Sequence, residues 1–94
     1  MDRKKGCFTP TDIVSTLNKH NILMTRQRQD VITGMCKLRK VEDAEALWMY
    51  LIQERKISVA AVYTTLNILI RFGLVFRKAT DGRKASYQMA CFQC

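Results

Sequence analysis

The sequence predicts a mainly helical domain that ends in a small β-hairpin, and three observations lead to this prediction. Apolar residues recur at helical spacing in four segments between residues 10 and 73. After Gly73 the spacing changes to two short strands around the turn Thr80-Asp81-Gly82. The third and fourth helices are joined by only a few residues, so they must cross steeply, as in a helix-turn-helix. Four helices followed by a two-stranded wing make a winged helix-turn-helix.

Length and composition limit the fold further. The 94 residues are 48% hydrophobic, which fits one globular domain over residues 1–94 with a modest core. No apolar run approaches the roughly 20 residues of a membrane span. The basic start also lacks the apolar run of a secretory signal. A cytoplasmic location, reduced cysteines and no membrane partner are therefore expected.

The net charge of +8 is unevenly distributed along the chain. Residues 1–40 carry +6 and residues 56–94 carry +5, whereas residues 41–55 carry −3. This distribution predicts a basic face and an acidic helix that is turned away from it. A basic face favours nucleic acid or another polyanion as the partner.

The first helix follows a short basic arm, residues 1–10. Pro10 with Thr11 or Asp12 is expected to begin the helix, and Asn21 to stop it. Its predicted apolar face consists of Ile13, Val14 and Leu17. The helix should therefore pack on the others through one side.

Thr25 is the predicted cap of the second helix, which runs to about Lys40. Arg26 and Arg28 stand in its first turn, where the helix dipole disfavours cations. Two arginines at this place indicate an external anion such as a DNA phosphate. A solvated charged turn is the alternative.

The third helix is predicted from Val41 to about Arg55. Its apolar positions follow a regular helical pattern and are Ala44, Leu47, Trp48, Leu51 and Ile52. The acidic residues Glu42, Asp43 and Glu45 would crowd its first turn, where they suit the dipole. Trp48 is interpreted as a core residue.

The fourth helix, residues 58–72, is the expected recognition helix, with Ser58 as its cap and Gly73 as its left-handed end. Its apolar stripe is Val59, Val62, Leu66, Leu69 and Ile70. The other side carries Ala60, Tyr63, Thr64, Asn67, Ile68 and Arg71 and has no acid. A DNA major groove admits one helix with short polar side chains and a cation. An ordinary amphipathic helix is the alternative.

The predicted wing, residues 77–84, follows this helix and is strongly basic. It collects Arg77, Lys78, Arg83 and Lys84. In a winged helix the second helix of the motif reads the major groove, while the wing contacts phosphates or the minor groove. The wing therefore favours double-stranded DNA as the partner.

Four motifs carry a family likeness. They are Thr25-x-x-Arg28, Asp43-Ala44-Glu45-Ala46-Leu47-Trp48, Ala60-Ala61-Val62-Tyr63-Thr64-Thr65-Leu66-Asn67 and Gly73-Leu74-Val75. Over about residues 12–89 the chain resembles the DNA-binding half of the ferric uptake regulator family. The resemblance implies a bacterial transcription repressor that binds DNA. Full members respond to metal and dimerise through a second, C-terminal domain.

The departures from the family pattern are informative. Thr64 stands where the family has an arginine that can contact guanine. Lys40 and Val41 stand where a metal-binding histidine is expected, and Gln88 replaces a wing glutamate that serves as a ligand. The chain reaches Cys94 where the dimerisation domain should begin. No metal ligand is therefore expected from this half, and self-association or pairing with another regulator stays open.

The expected DNA contacts form two groups. Ala60, Tyr63, Thr64 and Asn67 are expected in the major groove, with Ser58 contributing from the helix start. Arg26, Arg28, Lys78, Arg83 and Lys84 are expected on phosphates. Because few of these side chains read bases strongly, a monomer should have low sequence specificity.

The tail, residues 90–94, contains a Cys91-x-x-Cys94 pair. A structural zinc site needs four ligands, and this pair supplies two, so Cys7, His20 or a second subunit would have to complete it. Two reduced thiols in a frayed tail are the favoured interpretation. His20 is the single histidine, and no catalytic motif accompanies it. The chain is not expected to be an enzyme.

Two other functions compete with DNA binding. The first is a winged-helix protein-interaction module that modulates a full-length regulator or another partner without specific DNA binding. Thr64 in place of arginine and the expected exposure of Ile68 favour this function. The second is a thiol or zinc sensor that works through Cys91 and Cys94.

Overall fold

The computed structural model describes residues 9–79 and 85–90. In chain order the elements are α1 (Pro10–Lys19), α2 (Arg26–Leu38), β1 (Lys40–Val41), α3 (Ala44–Leu51), α4 (Val59–Arg71), β2 (Val75–Ala79) and β3 (Ala85–Met89). The predicted winged helix-turn-helix is confirmed, with one strand more than the predicted two. Within the described ranges, no helix is both long enough and apolar enough to cross a bilayer.

Each helix begins where a side-chain oxygen accepts a hydrogen bond from the backbone N–H three residues later. The caps are Thr9, Thr25, Asp43 and Ser58, at distances of 2.7 to 3.1 Å. These bonds satisfy amide groups that have no partner inside the helix. The predicted caps of α2 and α4 are confirmed, and α1 begins at Pro10, as predicted, with Thr9 as its cap.

The third helix is shorter than predicted at both ends. Val41 belongs to β1, where it is buried and lies opposite Tyr87 of β3. Asp43 is in extended conformation as the cap. Glu42 and Asp43 therefore precede the helix, and Glu45 lies in its first turn as predicted. After Leu51 the chain turns, and Arg55 Nε lies 3.5 Å from Asp30 Oδ1 of α2. Strand pairing and capping therefore set the bounds of α3.

The three strands form an antiparallel sheet in the order β1-β3-β2. Its inner face carries Val41, Val75, Tyr87 and Met89, which are buried against the helices. Its outer face carries Lys40, Phe76, Lys78 and Gln88, which are exposed. The sheet thus closes one side of the helical core with alternate residues of each strand.

The core joins all four helices to this sheet. Its largest fully buried side chains include Ile13, Leu17, Ile32, Met35, Leu47, Leu66, Leu69 and Met89. A Cβ atom placed on Gly34 of α2 would lie 2.7 Å from Leu51 Cδ2 of α3. The absence of a side chain at Gly34 therefore allows these two helices to pack closely.

Three predicted positions on the helix faces are wrong. Val59, expected in the apolar stripe of α4, is 37% exposed in the first turn of the helix. Ile68, expected on the exposed side of α4, packs against the core, because α4 contacts β2 as well as α2 and α3. Ile52, expected in the core, is 38% exposed because the helix ends at Leu51. The burial of Ile68 removes one observation that favoured a protein-interaction module.

Thr65 of α4 is the exception to the apolar core. Its side chain is 1% exposed, and its hydroxyl has no hydrogen-bond partner. We expect Thr65→Val to raise the free energy of unfolding by about 1 kcal/mol, because it removes an unpaired buried hydroxyl and keeps the branched shape. Urea unfolding followed by circular dichroism would measure this change. Thr64→Val, at the exposed neighbouring position, is the control and should leave stability unchanged.

Candidate nucleic-acid interface

The exposed side of α4 carries the residues that the sequence predicts for the major groove. Ala60, Tyr63, Thr64 and Asn67 are all exposed, and Tyr63 is 43% exposed. The opposite side buries Val62, Thr65, Leu66 and Leu69. The helix contains no acidic residue and has Arg71 in its last turn. This side is therefore small, polar and free of negative charge.

The start of α4 is fixed by three hydrogen bonds. The Ser58 hydroxyl accepts from Ala61 N at 3.1 Å and so caps the helix. Ser58 N donates to Gln27 Oε1 of α2 at 3.1 Å. Trp48 Nε1 of α3 donates to the carbonyl oxygen of Ile57 at 2.8 Å. Sequence reasoning placed Trp48 in the core and attached no role to Gln27.

The first turn of α2 lies beside the start of α4, because Gln27 bonds to Ser58. Arg26 is exposed there and free to meet an anion. Arg28 is half-buried, and its Nη1 donates to the carbonyl oxygen of Leu23 at 2.6 Å. The two arginines therefore differ: Arg26 projects outward, and Arg28 holds the loop between α1 and α2.

The wing follows α4 directly because Gly73 adopts a left-handed conformation with φ of +74°, which glycine tolerates without strain. In β2, Arg77 lies opposite Tyr87 and Lys78 opposite Ser86, so the two cations project from opposite faces of the sheet. Arg77 lines a cavity of about 190 Å³ together with Tyr63, Asp43 and Glu45. The prediction that the acidic helix is turned away from the basic face is therefore wrong at its first turn.

The cation that the structure places beside α4 is thus Arg77. Sequence reasoning named Lys78, which lies on the outer face of the sheet. The signal that could have found Arg77 is the period of two in a strand, since the partner Tyr87 is apolar and buried. Arg83 and Lys84, the other predicted wing contacts, lie outside the described residues.

These elements define the class: a winged helix-turn-helix domain with a polar, acid-free recognition helix. The sequence profile of the Ferric uptake regulator family matches residues 19–93. The chain belongs to this family, whose members are transcription regulators and not enzymes. A search of curated proteins finds no match to the chain.

Three solved structures are similar to the chain. The Vibrio cholerae ferric uptake regulator (Fur) is 25% identical, with a TM-score of 0.72 over 83% of this chain and 61% of its own. Fur from Pseudomonas aeruginosa with manganese is 26% identical, with a TM-score of 0.72 over 82% of this chain and 59% of its own. GAS PerR-Zn-Zn is 20% identical, with a TM-score of 0.77 over 99% of this chain and 60% of its own. At this identity the likeness establishes the fold and nothing more. The chain spans about three fifths of the length of these proteins.

The positions that the family likeness implies for metal ligands meet in the sheet. Lys40 and Gln88 are direct partners in the ladder between β1 and β3. A lysine ammonium has no lone pair to offer and repels a cation, so this pair does not fit a metal. The described ranges, 9–79 and 85–90, hold no group of three or more His, Cys, Asp or Glu that could bind one. Cys91 and Cys94, for which zinc binding was the alternative to two reduced thiols, fall outside these ranges.

Proposed function

We propose that this chain is the DNA-binding domain of a bacterial transcription repressor that acts in the cytoplasm. The observation that carries the proposal is the exposed side of α4, where Tyr63, Thr64 and Asn67 form a polar surface without acid. The helix is about 20 Å long, and the major groove of about 12 Å in width admits it. Family membership and the likeness to Fur from Vibrio cholerae, a protein with DNA-binding domains, support the same function.

In this proposal the phosphate contacts surround the recognition helix. Arg26, in the first turn of α2, lies near the start of α4, and Arg77 lines a cavity with Tyr63 of α4. Lys78, Arg83 and Lys84 would extend the basic surface along the wing. Such contacts supply affinity and orientation, whereas base discrimination comes from α4. With Thr64 in place of arginine, the base-reading part is small, and we expect low sequence specificity for one copy.

Selection of bound duplexes from a random DNA library tests this function, with and without a chelator. We expect enrichment of a short half-site that does not depend on the chelator. A palindromic site would show that two copies pair on DNA. Loss of that site in the presence of chelator would show that the pairing depends on a bound metal. Absence of any enriched sequence would contradict specific DNA binding and favour the protein-interaction module.

A further inference from the structure

A single peptide group at the entrance to α4 is held by side chains from two other helices. Its carbonyl oxygen, on Ile57, accepts from Trp48 Nε1 at 2.8 Å. Its N–H, on Ser58, donates to Gln27 Oε1 at 3.1 Å. Trp48 belongs to α3 and Gln27 to α2. Both polar atoms of this peptide are therefore paired with side chains.

The two side chains hold the peptide from opposite sides. The described residues contain no cis peptide bond, and the C=O and N–H of a trans peptide point in opposite directions. α2 and α3 therefore grip the peptide between them. The Ile57 side chain is 6% exposed and packs in the core. This packing is a third constraint on the peptide, in addition to the two hydrogen bonds.

This peptide is the last one before the recognition helix. Ser58 is the cap of α4, so the backbone here, together with the packing of the buried side of α4, sets the direction of the helix. With a helix length of about 20 Å, a change of about 10° would displace its far end by roughly 3 to 4 Å. A base contact tolerates much less than that, because hydrogen bonds weaken beyond about 3.2 Å.

We infer that Gln27 and Trp48 are positioning residues that set the direction in which α4 enters the major groove. Their action needs no contact of their own with DNA, since it passes through the peptide of Ile57 and Ser58. This inference rests on the proposed function. It concerns base discrimination and not the phosphate contacts that supply general affinity.

Amide hydrogen exchange of Ser58 tests the grip without DNA. Gln27→Leu removes the acceptor and keeps a good helix former, and we expect exchange at Ser58 to accelerate about tenfold or more. The matched control is Gln29→Leu, the same change two residues later on α2, where Gln29 is exposed and lines the groove between α1 and α2. The control should leave Ser58 unchanged. Equal exchange in both variants would overturn the hydrogen bond to Gln27.

DNA binding tests the consequence, with a duplex obtained by library selection and a scrambled duplex of the same length as probes. Gln27→Leu should lower the preference for the selected duplex by about tenfold, equivalent to about 1.4 kcal/mol. Affinity for the scrambled duplex and the slope of affinity against salt should stay within about twofold of the original values, because phosphate contacts set them. A general loss on both duplexes would show a merely structural role and overturn the inference.

Trp48→Phe provides the second test, since it keeps an aromatic ring and removes the N–H donor. Because both residues act on one peptide, the double variant should lose less preference than the product of the two single losses. Independent, multiplicative losses would contradict a shared action. If Trp48→Phe fails to fold, the measurements on Gln27→Leu alone still test the inference.

The outcomes separate this inference from the proposed function. If the original chain shows no preference for any selected duplex, the proposed function fails, whatever the exchange at Ser58. If the original chain has a preference and Gln27→Leu keeps it in full, the inference fails and the proposed function stands.

Discussion

Raising the salt concentration from about 50 mM to about 200 mM is expected to weaken the binding of duplex DNA by about 500-fold. Each neutralised phosphate contributes a slope of about −0.9 in a plot of log affinity against log salt. The five proposed phosphate contacts are Arg26, Arg77, Lys78, Arg83 and Lys84. They give a total slope of about −4.5. Fluorescence anisotropy of a labelled duplex over this range would measure it.

Two single variants on α2 show whether this salt dependence comes from a defined surface. Arg26→Ala should make the slope shallower by about 0.9, because it removes one phosphate contact. Lys37→Ala changes a cation about 16 Å away along the same helix, in its last turn, and should leave the slope unchanged. Equal changes of slope in both variants would mean that DNA responds to the overall positive charge of the protein and not to a defined contact at Arg26. A slope near zero for the original chain would contradict groove binding altogether.

Leu66→Ala is expected to lower the free energy of unfolding by about 2 to 5 kcal/mol. Leu66 lies in the middle of α4 with no exposed surface, in the core that joins this helix to the others. The substitution removes buried methyl groups and leaves a cavity that rigid neighbours can fill only in part. The total stability of a small domain is about 5 to 15 kcal/mol, so the fraction unfolded should rise sharply. Urea unfolding would give the difference.

Leu23→Ala is the matched control for this loss. Leu23 is 72% exposed in the loop before α2, and the hydrogen bond that Arg28 makes there goes to its backbone carbonyl. The same side-chain truncation should therefore change stability by less than about 0.5 kcal/mol. A loss at Leu23 as large as that at Leu66 would contradict the placement of the core.

The helices could be predicted because their patterns are local. The caps Thr25 and Ser58 precede regular apolar stripes, and both are found as expected. The start of α3 could not be predicted in the same way. Val41 pairs with Tyr87, which is far along the chain, and a strand of two residues has no period of its own. The acidic run after it therefore looked like the first turn of a longer helix.

The polar surface of α4 could also be predicted, since a helical wheel separates Tyr63 and Asn67 from the buried stripe. The surroundings of this surface could not. Arg77 faces Tyr63 only because the sheet folds back on the helices, and Arg28 is turned inward by a carbonyl oxygen five residues earlier. The bond between Gln27 and Ser58 joins residues 31 positions apart. No spacing rule indicates such a contact.

The order of strands in the sheet also has a consequence for how the chain is made. β3 is the last strand in sequence and the middle one in space, so β1 and β2 both lack a partner until residues 85–89 have been synthesised. A ribosome delivers the chain from its N-terminus at about 5 to 20 residues per second. The four helices can pack as they emerge, whereas the sheet can form only after β3 leaves the exit tunnel. Assembly of the sheet beside the candidate interface is therefore completed by the strand of that sheet that is synthesised last.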